Sequence, residues 1–364
     1  MVSKVLDTNH DFAIRSPQPV HSGKVRSVYW LSDADSRRLI EGRGYPVPLD
    51  AELAVMIVSD RLSAFDCIWR GEQQLNGVPG KGAALNAVSQ YWFEQFASAG
   101  LARSHILESP HPLVWIVQRA QPVRIEAIAR RYLTGSMWRS YAAGERSFCG
   151  VELPDHLMKD QRLSELLITP SSKGILRGLQ GIPEVDDVNV SRADLQRHWQ
   201  ALGFQRVEDI DHYERLLSEG FELIADRLAA LEQIFVDTKF EFGYAKNAQG
   251  ITELIYMDEV GTPDSSRMWD AAAYADGVVR ENSKEGFRQA LLNWVPDPEL
   301  LLDKARMAER LDFAAATRLP PEMLLNVAET YRAVASAIVG ASVPVVEHPR
   351  EEINDLLSAE LGLL

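Results

Sequence analysis

The sequence predicts an α+β protein in which antiparallel strands and helices share two or three lobes. Three observations carry this. The chain has 364 residues, 46% of them apolar, which is enough to bury a large core and long enough to divide. Short alternating runs recur close together in sequence, as paired strands do. After Trp294 the apolar residues fall at helical spacing.

The elements follow in order. Segment 23–31 reads as a loop running into a strand. Residues 32–52 are polar, with Gly42, Gly44, Pro46 and Pro48, and read as a surface loop or insertion. Val55–Ser59 is a short buried strand. Residues 77–82 are a turn, and Leu85, Val88, Tyr91, Trp92 and Phe96 then mark a helix. Leu113–Gln118 and Val123–Arg131 read as a strand pair, and Thr134–Ala142 as a helix. Residues 154–190 carry prolines and glycines and read as a long ordered loop, which in a compact protein is usually functional. Asp194–Leu202 and His212–Ile234 are helices, and Val236–Phe242 and Ile251–Val260 form a hairpin. Helices over Pro298–Ala316 and Pro320–Val339 precede a tail with one short helix.

Composition excludes several classes. Lys and Arg number 38 and Asp and Glu 52, giving a formal charge of −14. Neutralising nucleic-acid phosphates needs a basic surface, so no nucleic-acid partner is expected. No apolar run approaches the roughly 20 residues of a bilayer span, so no membrane partner is expected. Met1 to Phe12 carries Asp7, His10 and Asp11 and does not read as a secretory leader. Cys67 and Cys149 make no disulfide framework and read as reduced thiols of a cytoplasmic protein. The scattered histidines show no zinc-ligand spacing.

The most informative segment is the hairpin. Strand alternation puts Asp237, Lys239 and Glu241 on one face. A turn centred near Asn247–Ala248 would set Asp258 opposite Asp237. Like charges so placed are destabilising unless a cation lies between them, and oxygen ligands favour Mg²⁺ or Mn²⁺. The same spacing also describes a solvated sheet face in which Lys239 neutralises the acids. Thr262–Arg267 is hydroxyl-rich and ends in a guanidinium, which suits phosphate or carboxylate as well as a plain turn. Gly23-Lys24-Val25-Arg26 places two cations after a glycine at a strand start, but is not a P-loop. Arg130-Arg131 run into Thr134-Gly135-Ser136 at a helix start, where free N–H groups attract anions. Thr169–Lys173 is another hydroxyl-plus-lysine loop. Several anion-binding loops, one acidic hairpin and no evident nucleophile point to phosphoryl transfer from ATP onto an anionic small molecule.

Seven segments, in order over residues 22–270, carry a resemblance: SGKVRSVY (22–29), SDRLSAFD (59–66), VPGKGAALNAVSQYWF (78–93), RRYLTGSMWRSY (130–141), ITPSSKG (168–174), DTKFEFG (237–243) and MDEVGTPDSSRMWD (257–270). The chain resembles the phosphoribosylaminoimidazole-succinocarboxamide synthases, or SAICAR synthetases, of purine biosynthesis. The resemblance implies a two-lobed fold related to ATP-grasp and kinase folds. Residues 1–112 would form a β-rich lobe over the nucleotide, 113–297 an α+β lobe for substrates and Mg-ATP, and 298–364 a helical extension without a family counterpart. That extension would be an extra helical layer or a contact between copies in a homo-oligomer.

The implied reaction is ATP-dependent ligation. ATP would phosphorylate the carboxylate of 5-amino-1-(5-phosphoribosyl)imidazole-4-carboxylate (CAIR), and the amine of L-aspartate would attack the acyl phosphate. The resemblance assigns roles. Lys239, Arg267 and Asp237 would be catalytic. Gly23, Lys24, Arg26 and Lys173 would hold ATP, with Glu241 and Asp258 as Mg²⁺ ligands. Arg131, Ser136, Ser265 and Ser266 would bind CAIR together with Arg267, and Asp60, Arg61 and Asp66 would line the junction of the lobes. Many relatives carry a His-Asp-Glu-Asn-Ile-Ser-like stretch where this chain has Glu184 to Ser191 without a histidine. Asp187 is the residue matched there to substrate binding. The departure leaves open a ligase or kinase of the same fold acting on a different carboxylate and amine. A nucleotide-binding scaffold without activity would have lost the acidic hairpin, which is present. Replacing Asp258 by Asn should abolish ADP release and leave the fold intact; a wild-type rate for Asp258→Asn at limiting Mg²⁺ would contradict the metal assignment.

Overall fold

Alternating apolar residues build the first sheet. In the computed structural model, which describes residues 5–364, its strands are β1 (His21–Ser22), β2 (Arg26–Trp30), β3 (Leu53–Val58), β6 (Ile106–His111) and β7 (Val114–Gln118). They are antiparallel in the order β1-β2-β3-β7-β6. A tight hairpin of β4 (Leu62–Ala64) and β5 (Cys67–Trp69) follows β3. Residues 1–4, part of the stretch read as lacking a leader, lie outside the described residues.

Residues 32–52 are not simply a loop. They contain helix α1 (Asp33–Arg43), whose cap Ser32 accepts a hydrogen bond from the Asp35 N–H at 3.1 Å. Asp33 and Asp35 sit at its positive end, Arg43 at its negative end, and Gly44 closes it in the left-handed region. Only Leu39 and Ile40 anchor its apolar face, too few to show helical periodicity in the sequence. Helix α2 (Lys81–Ser98) follows the 77–82 turn as expected and buries Leu85, Val88, Trp92 and Phe96.

The second sheet runs β12-β9-β14-β15, with β8, β13 and β16 added at its margins. In chain order these elements are β8 (Gln121–Pro122), β9 (Ile125–Tyr132), helix α3 (Gly135–Ala142), the hairpin β10 (Ser147–Phe148) and β11 (Val151–Glu152), β12 (Arg162–Ile168), β13 (Ser171–Ser172), helices α4 (Arg192–His198) and α5 (Asp209–Ala229), β14 (Gln233–Lys246), β15 (Thr252–Met257), β16 (Ser266–Asp270), and helices α6 (Ala271–Ala275) and α7 (Lys284–Trp294). The 154–190 stretch is therefore not wholly loop. Its strand β12 pairs β9 with a register shift between Arg162 and Leu167, an irregularity that blurs strand alternation in the sequence.

The 113–118 and 123–131 segments do not pair with each other. Strand β7 bonds to β3 and β6, whereas β9 bonds to β12 and β14. The intervening chain is captured from both sides: the Arg119 N–H reaches Glu52 O and the Val123 N–H reaches Phe242 O. The register of the β14–β15 hairpin also differs from expectation. Its turn closes at Asn247–Ile251, so Glu241 pairs Met257 and Tyr244 pairs Leu254. Asp237 instead pairs Arg267 on β16 and Arg130 on β9.

The C-terminal helices are α8 (Glu299–Leu302), α9 (Met307–Ala316), α10 (Pro321–Val339) and α11 (Pro349–Asp355). The single helix expected over 298–316 breaks at Asp303, whose carboxylate accepts from the Ala305 N–H at 2.9 Å and starts a 3-10 turn. Helix α10 opens with Pro321 and ends at left-handed Gly340. The tail returns to the first sheet, where Ile353, Leu356, Leu357, Leu361 and Leu363 share a core with Leu6, Phe12, Tyr29 and Val55. No helix of the described residues is long and apolar enough to cross a membrane.

Candidate active site

A cleft of about 1170 Å³ lies between the two sheets. Apolar side chains, Val28, Met56, Val117, Ala120 and Met257 among them, line part of it, and many of the remaining lining residues are charged. Strand β14 supplies its floor. Asp237, Lys239 and Glu241 all line the cleft, as their alternation requires.

Asp237 and Lys239 are each held from a neighbouring strand. The register sets Arg130 and Arg267 on either side of Asp237. Arg267 donates to Asp237 Oδ2 at 2.6 Å, and Arg130 lies 3.4 Å from the same oxygen. Arg130 also donates to Thr169 Oγ1 at 2.8 Å and to Ser136 Oγ at 3.3 Å. Arg267 reaches Glu285 at 3.2 Å with its other nitrogen. Lys239 donates to Glu126 on β9 at 2.6 Å. Burial works to lower the Lys239 pKa, but Glu126 and Glu241 outweigh it and keep the ammonium charged.

Glu241 and Asp258 form the acidic centre. Asp258 follows β15 directly and has φ of 57°, a strained conformation for a residue with a side chain. Burial, and after it the charge of Asp258, push the Glu241 carboxyl above its ordinary range. Burial also acts to raise Asp258, but Arg26, Lys173 and Lys239 outweigh it and hold it below the ordinary range. Lys173 contacts Glu241. Arg26 lies 3.5 Å from Asp258 and 3.2 Å from Glu259. Among the described residues no cluster of three or more His, Cys, Asp or Glu is placed to cage a metal. Two carboxylates suit a cation such as Mg²⁺, which keeps water or phosphate oxygens as its other ligands. Nε of Arg26 and of Arg267 are buried without a hydrogen-bond acceptor.

The 262–267 loop forms another wall. Thr262 Oγ1 donates to Glu259 at 3.0 Å, and the Thr238 and Ser266 hydroxyls meet at 2.8 Å. Asp264 is buried, with the Lys81 and Lys284 ammoniums each 3.1 Å from its Oδ2. Burial lowers the Lys284 pKa to about 8 despite Asp264.

The SAICAR synthetase family matches residues 19–298. The chain belongs to that family. It is 59% identical to "Phosphoribosylaminoimidazole-succinocarboxamide synthase" of Shewanella sp. (strain ANA-3), over all of this chain and 99% of the relative. The fold is similar to that of "SAICAR-synthase from Saccharomyces cerevisiae complexed SAICAR", with a TM-score of 0.64 and 23% identity over 89% of this chain and 95% of the other. It is also similar to a "SAICAR synthetase (Type-2) in complex with ADP", with a TM-score of 0.55 and 20% identity over 89% and 98% of the two chains.

Of the residues singled out from the family resemblance, Gly23, Lys24, Arg26, Asp66, Lys173, Asp187, Asp237, Lys239, Glu241, Asp258, Ser265, Ser266 and Arg267 line the cleft. Asp60, Arg61, Arg131 and Ser136 do not. Asp60 accepts the Leu6 and Gly82 N–H groups at 2.8 and 2.9 Å, and burial pushes its carboxyl up to about 6. Arg61 donates to the Lys24 and Gly23 carbonyls at 2.8 and 3.1 Å, so it holds the glycine turn from behind. Arg131 points away from the cleft to Glu222 and the Phe221 ring on α5. Ser136 meets the cleft only through Arg130. The face of β9 that carries Glu126, Ile128 and Arg130 is the one lining the cleft, so Arg130 rather than Arg131 faces it. Parity with Glu126 would have shown this had its pairing with Lys239 been legible. Lys284 and Arg288, one turn apart on α7, also line the cleft and were missed.

Gly135 of the family's Thr-Gly-Ser segment has φ of 59°, and a Cβ there would lie 2.7 Å from the Arg267 guanidinium. Gly135→Ala should therefore displace Arg267 and lower kcat/KM about a hundredfold, with circular dichroism unchanged; unaltered kinetics would show that Arg267 tolerates the shift.

Proposed function

We propose that this chain joins CAIR to L-aspartate with ATP, giving SAICAR, ADP and phosphate. The observation that carries this is the division of the cleft along β14. Arg26, Lys173 and Lys239 surround Glu241 and Asp258, with Lys24 also on the cleft wall, whereas Arg130, Arg267 and Arg288 gather around Asp237 and Glu285, with Lys284 nearby. One cationic set in a cleft with apolar lining residues suits a nucleoside triphosphate. A second set suits a substrate that carries both phosphate and carboxylate.

The chemistry needs alignment and charge stabilisation more than a protein nucleophile. A carboxylate oxygen of CAIR attacks the γ-phosphorus of ATP, and ADP leaves. The neutral aspartate amine then attacks the acyl carbon, phosphate leaves and takes up the amine proton as hydrogen phosphate, and the amide forms. Lys24 and Arg26 hold the ATP phosphates. Lys239, kept charged by Glu126, lies beside the transferred phosphoryl group. Arg267, fixed by Asp237 and Glu285, orients the CAIR carboxylate or phosphate, with Ser265 and Ser266 supporting its loop. Arg130 shares that task from β9. Asp66 pairs with Lys24, and Asp187 also lines the cleft, where burial and the charge of Glu126 raise its pKa. Glu241 and Asp258 would hold Mg²⁺, which when bound offsets phosphate charge. Lys173 then has phosphate oxygens as an alternative partner to Glu241.

The test is ADP release with ATP, Mg²⁺ and CAIR, with and without L-aspartate. Turnover only with aspartate, giving succinocarboxamide, is expected. Release indifferent to aspartate would redirect the amine assignment, and no turnover with ATP still bound would redirect the carboxylate.

A further inference from the structure

The family match stops at residue 298, yet the helices beyond it touch residues that line the cleft, Asp264 and Phe65. Tyr331 of α10 is fully buried, and its hydroxyl donates to Asp264 Oδ1 at 2.6 Å. Because Lys81 and Lys284 take the other oxygen, Tyr331 is what fixes the rotation of the carboxylate. Asp264 leads directly into Ser265, Ser266 and Arg267.

Arg310 of α9 is also buried, 2% exposed. It donates to Leu300 O at 3.0 Å, Asp303 O at 2.7 Å and Phe65 O at 3.2 Å. A buried guanidinium satisfied by carbonyls is costly to maintain for packing alone. Here its third acceptor belongs to the β4–β5 turn, where Phe65 and Asp66 have φ of 52° and 63°. Both line the cleft, and Asp66 contacts Lys24. The Cys67 thiol also faces Arg310 O at 3.7 Å.

We infer that the C-terminal helices brace two walls of the cleft, with Tyr331 and Arg310 as positioning residues. Tyr331 acts through Asp264 on the wall that ends in Arg267. Arg310 acts through Phe65 on the turn that presents Asp66 to Lys24. Neither residue lines the cleft. The assignment of each wall to a substrate rests on the reaction proposed above.

Steady-state kinetics of the full chain, Tyr331→Phe and Arg310→Lys test this, with thermal melting alongside. Tyr331→Phe should raise KM for CAIR roughly tenfold and move KM for ATP less than about twofold, the cost expected for one lost hydrogen bond to a charged group. Arg310→Lys should do the reverse, raising KM for ATP and sparing that for CAIR. Unchanged KM values with a lower kcat that tracks loss of folded protein would make the helices a scaffold only and overturn the inference. If Arg310→Lys does not fold, Tyr331→Phe, which removes a single oxygen, decides alone. If the parent does not turn over CAIR, the reaction itself fails and the brace is judged on ADP affinity by calorimetry. A roughly tenfold loss in Arg310→Lys would then uphold it and an unchanged value would overturn it.

Discussion

Glu241 and Asp258 repel one another inside a buried cleft, which raises the Glu241 carboxyl, while the surrounding cations oppose that repulsion and hold Asp258 low. Buried carboxylates without partners would take up protons. Arg26 arrives from the first sheet, Lys173 from the loop after β13, and Lys239 from β14 itself. Lys239 is in turn fixed by Glu126, and Arg26 by Glu259. Two sheets and a loop therefore converge on one pair of acids. The same logic extends along β14, where Asp237 is clasped by Arg267 and Arg130. Alternating acid and base on one strand face, answered by β9, β16 and the Lys173 loop, makes a cleft that is dense in paired charge.

What was legible in the sequence was local. Period-two alternation placed Asp237, Lys239 and Glu241 together because a strand's faces follow from its own residues. Helical spacing marked α2 and α10 for the same reason. Register was not legible. It depends on how Asn247–Ile251 closes the turn, and a slip there moved the expected partner of Asp237 from Asp258 to Arg130 and Arg267. That Arg130 rather than Arg131 faces the cleft is a matter of one residue of parity, decided by which face of β9 meets it. Asp60 and Arg61 were singled out as polar residues in a family segment, but their partners are backbone groups of Leu6, Gly82, Gly23 and Lys24. Such contacts span tens of residues and leave no trace in local spacing. Helix α1 was hidden for the opposite reason, since its capping and charge pattern are clear but its apolar face is minimal.

The C-terminal residues show how a segment outside the family match becomes part of the whole. Its last leucines complete the core of the first sheet, α10 lies on α2, and Tyr331 and Arg310 touch the backs of two cleft walls. The conformation of the charged cleft is thus set partly from beyond the region that contains its charges.

The central claim is that Glu241 and Asp258 are set together among cationic side chains so that a divalent cation and nucleotide phosphates can bind there. Calorimetric titration of ADP with and without Mg²⁺, in the parent and in Glu241→Gln, tests it most directly. Mg²⁺ should tighten ADP binding at least about tenfold in the parent and have little effect in Glu241→Gln. The same Mg²⁺ enhancement in both proteins would contradict the account.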